Sequence, residues 1–160
     1  DGIASRGLGD VYKRQAWERT AEACGLTAGV MGGLGGARCR TVAAHAVHNG
    51  LTQLPACHHV LHGEKVGFGI LVQLRLEARL GNNRLAAQAH HQLKGVLENL
   101  GLPVCLEDLG LADASSRDLL TVCEFACQDG SDLHHLPFTV TPAALLDALV
   151  ELPERSPVPS

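Results

Sequence analysis

The stretch HAVHNGLTQLPACHHVLHGEKVGFG, residues 45 to 69, gathers five of the chain's nine histidines into eighteen residues and follows them with an acid–base pair. His45 and His48 are three apart, so on a helix both project from one face. His58, His59 and His62 come after an intervening loop, just before the next helical pattern. A helix–turn–helix pair would bring His45 or His48 opposite His62. Neutral imidazole is a common ligand of divalent metals, so the segment could supply part of a metal shell. Spacing alone leaves the matter open, because two histidines do not complete tetrahedral coordination. His58 and His59, beside a loop, read as solvated, and His90 and His91, adjacent on a later helix, point in different directions. Glu64 and Lys65 read either as side chains that orient a ligand or as helix-start charges on a solvated face.

Other residue types offer less. Residues 24 to 40, CGLTAGVMGGLGGARCR, are dense in glycine, but no strand precedes them and neither phosphate-cradling spacing is present. They read as a flexible or mis-sequenced loop. The six cysteines, Cys24, Cys39, Cys57, Cys105, Cys123 and Cys127, do not have the spacing of a small stapled scaffold and are expected to be reduced, intracellular and mostly buried. Cys123 and Cys127 share a helix face, but no further pair of ligands lies nearby to make a zinc site, so the core reading is preferred.

The elements that must position the histidines are helical. A chain of 160 residues with 46% apolar and 19% charged residues can bury a core. Aromatics are only 3%, and the reliance on Leu and Ala favours helix over sheet. A net charge of −4 gives no footprint for nucleic acid and no polybasic arm for a membrane. No apolar run is long enough to span a bilayer, and no leader pattern opens the chain.

Helices are predicted over 41–49, ending at Asn49-Gly50; over 63–80, with a stripe of Val66, Ile70, Leu71 and Leu74; and over 83–100, with Leu85, Ala89, Leu93, Val96, Leu97 and Leu100, stopped by Gly101. Another starts at a cap on Ser115 or Ser116 and runs to about Gln128. The last opens at Thr141-Pro142. The domain reading is 1–15 adapter-derived (its GDVYKRQ string looks like translated sequencing-adapter read-through), 16–40 irregular, 41–152 helical, and 153–160 a frayed tail.

AAHAVHNGLT followed by HGEKVGFGILVQL resembles the metal-binding segment of the glycerol dehydrogenases, within the iron-containing, metal-dependent (group III) alcohol dehydrogenases. The likeness continues through GLPVCLEDLGL, LLTVCEFAC and LHHLPFTVTP, in order, over roughly residues 43 to 148. It implies an all-α bundle matching the C-terminal metal-binding domain of the fold shared with dehydroquinate synthase. The nucleotide-binding α/β half lies outside this chain, so no cofactor-binding residue is assigned.

The resemblance implies a metal, zinc or alternatively iron, held by His45, His62 and an aspartate. In this family the aspartate lies farther upstream than this chain extends, and Asp10, in the adapter-like segment, is no substitute. His48 and Glu64 are the side chains expected to support the ligands, and no catalytic residue beyond the ligands is assigned. The implied activity is NAD-dependent oxidation of glycerol to dihydroxyacetone, by a cytoplasmic enzyme that is a homo-oligomer at full length. The small-molecule substrate is glycerol or a related polyol, with neither nucleic acid nor membrane as partner. The fragment alone is expected to be inactive.

Alternatives are another polyol or alcohol dehydrogenase of the superfamily, a lyase of the dehydroquinate synthase type, or a non-catalytic helical metal-binding fragment. One local departure stands beside the first histidine: where the family writes a GFESGGLAAAHA-like string, this chain writes GLGGARCRTVAAHA. A frameshift near residues 24–41 would account for Arg38 and Arg40. Re-sequencing that restores an ESGG frame supports it, and an identical independent clone rejects it.

Overall fold

Leu- and Ala-rich stretches with regular apolar spacing become helix wherever a cap starts them and a glycine or proline stops them. The computed structural model describes residues 2–35 and 42–150, with side chains from residue 10 onward. Among these, the chain forms six α-helices joined by loops and short 3-10 turns, with no strand: α1 (Gly2–Gly35), α2 (Val42–Leu51), α3 (His62–Arg79), α4 (Arg84–Asn99), α5 (Ser116–Ala126) and α6 (Pro142–Val150). No helix among the described residues is long and apolar enough to cross a membrane. Cys39, Arg38, Arg40 and the tail over 153–160 lie outside the described residues.

The chain divides into two units, Asp1–Arg40 and Thr41–Ser160. In the first, helix runs through to Gly35, where an irregular segment is expected from the glycines. Between them lie good helix formers, AWERTAEA, and an Arg14–Glu18 pair at 3.1 Å spaced i, i+4. The apolar residues of α1 do not gather on one buried face: Trp17 is 71% and Leu34 87% exposed.

The second unit is built around α2. Its Ala43, Ala46, Val47 and Leu51 are buried, and it packs between α3 and α5, with α6 touching both of those partners. Phe68, Leu71, Val122 and Leu145 fill the core with no exposed surface, each worth about 1.5–3 kcal/mol of transfer free energy. Two glycines set how closely α2 can be approached. A Cβ on Gly69 of α3 would lie 2.5 Å from the Ala44 carbonyl oxygen, and one on Gly50 would lie 2.5 Å from that of Val122 on α5.

Side-chain caps fix the helix starts. Asn83 Oδ1 accepts the Leu85 and Ala86 amides at 3.1 and 3.3 Å. Of the two serines, Ser115 is the cap: its Oγ accepts from Asp118 N while the Asp118 carboxylate accepts from Ser115 N. Thr141 Oγ1 accepts from Ala144 N, with Pro142 opening α6. Gly101 ends α4 with φ +69°.

Two stripes differ from expectation. In α3 the buried face is Phe68, Gly69, Leu71, Val72 and Leu76, together with Lys65, whereas Val66, Ile70 and Leu74 are half-buried. In α4 only Ala86, Lys94 and Leu97 are buried, and Leu85, Val96 and Leu100 are exposed. In α3 the run from Val66 to Leu76 carries apolar residues on several sides, so periodicity alone does not select its inner face. α4 packs chiefly against α3, so one narrow strip suffices.

Candidate metal site

His45 stands in mid-α2, His48 one turn further on the same face, and His62 is the first residue of α3. The connection between the helices folds back tightly. Its 3-10 turn Pro55–Cys57 buries Cys57, and Val60 is also buried. Lys65 Nζ donates to the Cys57 carbonyl at 3.2 Å. Lys65 is 6% exposed, so its reading as a charge on a solvated face is corrected: its ammonium reaches inward and ties the loop to the first turn of α3.

This fold brings three imidazoles together. The ring centres of His45 and His62 are 6.3 Å apart, inclined at 55°. Those of His48 and His62 are 4.3 Å apart in an edge-on arrangement, and His62 Nδ1 and His48 Nε2 are hydrogen-bonded at 2.9 Å. His48 Nδ1 meets Asn49 Oδ1 at 3.0 Å. Burial lowers the His48 pKa below its ordinary value, and His62, Lys65 and His45 push the same way against the opposing Asn49 bond. The neutral imidazole, the form that ligates metals, is therefore favoured at His48.

Glu64 sits in the first turn of α3, and its carboxylate accepts from Leu61 N at 2.8 Å. This arrangement braces the helix start that carries His62. His58 and His59 are exposed, and His58 Nε2 is bonded to the Thr52 carbonyl at 3.2 Å. His90 is half-buried and His91 exposed on α4. Cys123 is buried and its thiol is pushed up to about 12, first by burial, which makes it a core side chain rather than a thiolate ligand. Cys127 is half-buried on the same face.

The donor set suits a divalent metal in part. At metal–nitrogen distances of about 2.0–2.1 Å, two imidazoles on one tetrahedral ion have ring centres roughly 5 Å apart, so a modest rotation of one ring closes the observed 6.3 Å gap. Among the described residues no group of three or more His, Cys, Asp or Glu side chains could hold a metal ion by itself.

Sequence reasoning missed two supports of this site, Gln73 and Gly69, and the inward course of a third, Lys65. Gln73, on the middle of α3, reaches across to α2, where its Oε1 accepts from Ala43 N and Ala44 N at 3.1 and 3.2 Å. A lone amide inside the apolar run ILVQL was the available signal. Gly69 and the inward Lys65 had none, since the reason for each lies on another element.

No family model matches the chain. It is 58% identical over 136 residues, 85% of this chain and 35% of the relative, to an uncharacterised oxidoreductase of Synechocystis sp.. It is 41% identical over 125 residues to a glycolaldehyde reductase of Halobacterium salinarum, covering 78% of this chain and 33% of that protein. It is 36% identical over 123 residues to a glycerol dehydrogenase of Citrobacter freundii, covering 75% and 31%. Among solved structures, a probable glycerol dehydrogenase of Sinorhizobium meliloti superposes with a TM-score of 0.62 at 38% identity, covering 69% of this chain and 29% of that one. The chain thus spans about a third of the length of the curated relatives it matches.

Proposed function

The chain belongs to the glycerol dehydrogenase family of oxidoreductases over the stretch that aligns with it, and from that premise we propose that it is the metal-binding helical part of an enzyme that oxidises glycerol to dihydroxyacetone with NAD as hydride acceptor. One observation carries the reading: imidazoles from two different helices, His45 and His62, face each other at the α2–α3 junction. His45 and His62 would hold a divalent metal, zinc in this reading and iron as the alternative, with an aspartate from outside this chain. Such a metal polarises a substrate hydroxyl and lowers its pKa when bound. The chain's own contribution is placement. α2 and α3, locked together at Gly69 and Gln73, hold the two ligands, and Lys65 and Glu64 fix the start of α3 from which His62 projects.

Zinc affinity of the 160-residue chain, beside His45→Ala and His62→Ala, tests the ligand assignment. Two imidazoles without the third ligand make a weak half-site, so weak zinc binding that is lost in each variant is the expected result; binding indifferent to both overturns it. The chain alone is expected to show no NAD-dependent glycerol oxidation, because no nucleotide-binding residue is assigned in it. Measurable turnover would overturn that.

A second substrate reading is favoured by the higher identity to the glycolaldehyde reductase than to the Citrobacter glycerol dehydrogenase. Comparing kcat/KM of the full-length enzyme for glycerol oxidation and glycolaldehyde reduction decides between them. A cytoplasmic homo-oligomer belongs to the same proposal, and cell fractionation and sedimentation of the full-length protein test it. A non-catalytic metal-binding module is distinguished by a full-length protein that holds zinc yet turns over neither substrate.

A further inference from the structure

His48 is not one of the two proposed ligands, yet it is the group that touches His62 most closely. Three polar side chains stand in a row: Asn49 Oδ1, 3.0 Å from His48 Nδ1, and His48 Nε2, 2.9 Å from His62 Nδ1. An amide oxygen has only lone pairs, so the nitrogen facing it must carry the hydrogen. His48 Nδ1 therefore donates to Asn49. A neutral imidazole has one N–H, which leaves His48 Nε2 as an acceptor. The hydrogen between the two rings then belongs to His62 Nδ1. That in turn leaves His62 Nε2 without hydrogen, its lone pair free.

We infer that Asn49 and His48 form a tautomer-setting relay that keeps His62 Nε2 as the bare, ligating nitrogen. The inference rests on the proposed metal role of His62 for its purpose, but not for its geometry. His48 is a positioning residue: it acts through His62 and need not touch metal or substrate. Two features built into the fold support the relay. His48 is half-buried between exposed partners, Asn49 and His62, and bonds both through its two ring nitrogens, and its i, i+3 relation to His45 sets it on the helix face that meets α3. His62, as the first residue of α3, is held in place by the Glu64 brace on Leu61 N. Outer partners of this kind commonly fix the tautomer and ring orientation of a ligating histidine.

The opposite polarity makes a clear alternative. If the Asn49 amide nitrogen faced His48, every hydrogen in the row would shift by one place. His62 Nε2 would then carry the proton and would have to change tautomer before it could bind a cation.

The test is long-range proton–nitrogen NMR of the histidine rings in the full 160-residue chain, labelled with nitrogen-15 and freed of metal, at a pH well above the ordinary imidazole value. The expected spectrum shows His48 and His62 both protonated at Nδ1. A proton on His62 Nε2 overturns the relay. His48→Gln supplies an amide oxygen near the position of Nε2 and should keep the His62 tautomer, whereas His48→Ala should turn it into a mixture. An unchanged His62 tautomer in a folded His48→Ala chain also overturns the relay. With zinc alone as the probe, His48→Ala should weaken binding by about 10- to 100-fold, and His48→Gln should restore most of it. Zinc binding unaffected by His62→Ala would instead overturn the metal reading while the ring spectra stood, so the two failures are distinguishable.

Discussion

The carboxamide of Gln73 does for α2 what a capping side chain does from within its own helix, but it reaches across from α3. Gln73→Ala leaves two amides at the start of α2 without that acceptor, and a loss of about 1–3 kcal/mol is expected, read as a lower urea midpoint with unchanged slope. A second residue-scale prediction concerns acid. Burial lowers the pKa of His90 below its ordinary 6.5, with Arg75, Lys94 and His91 pushing the same way. The unfolded chain takes up that proton at the higher pH, so stability is full above about 6.5 and falls as pH drops below it. His48, lowered by burial as well, adds to the same decline. The urea midpoint should be lower at pH 5.5 than at pH 7.5 by an amount that shrinks in His90→Gln; an equal drop in that variant would remove His90 as a source. Asp118 acts in a more acid window. Its hydrogen bonds to Ser115 hold its pKa below the ordinary 3.8, so its contribution is lost only as pH falls through that lowered value. At this scale the local devices were legible. The hydroxyls of Ser115 and Thr141 cap the helices next to them, and a cap is a short-range signal. Lys65 was not legible, because its buried course depends on a carbonyl eight positions back that only the folded loop presents.

Between elements, contacts are decided by what small residues allow. Gly50 lets α2 lie against α5, where an added methyl would come within 2.9 Å of Val122 Cγ1 as well as 2.5 Å of its carbonyl oxygen. Gly50→Ala should therefore destabilise the second unit by about 1–3 kcal/mol through overpacking, measurable by thermal or urea unfolding, even though alanine is the better helix former. A neutral or stabilising result would mean that the two helices can slide apart without loss. Helix positions along 42–150 followed from the sequence to within a residue or two, since periodicity and punctuation are local. Inner faces did not follow as well. The run from Val66 to Leu76 is apolar on several sides, and which side turns inward depends on α2 and α6, not on α3. The same holds for Leu85, Val96 and Leu100, which carry the right spacing for a core yet stay exposed.

At the scale of the whole molecule, the separate strings HNGLT, HGEKVGFG and LPFTVTP identified the family where composition could only say helical. The relatives bear that identification out, while the role of His45 and His62 stays with the zinc experiment. The core that carries these residues should also protect its thiols as one body. Cys57 and Cys123 are fully buried, and Cys24 is exposed on α1. Under iodoacetamide at neutral pH, Cys24 should label at once. Cys57 and Cys123 should label only at the rate of global opening, as mass spectrometry across a urea series would show. Early labelling of Cys123 would mean that α5 opens separately.

The Gly69 contact has a consequence for how such genes are read. The residue that lets His45 and His62 face each other is neither of them. It is a missing side chain beside Ala44, the neighbour of His45. A copy of this gene in which position 69 had drifted to valine would retain every imidazole in the HxxHNG and HGEK strings. A scan for those strings would score it as an intact oxidoreductase, while its two helices stood too far apart for the pair to act together.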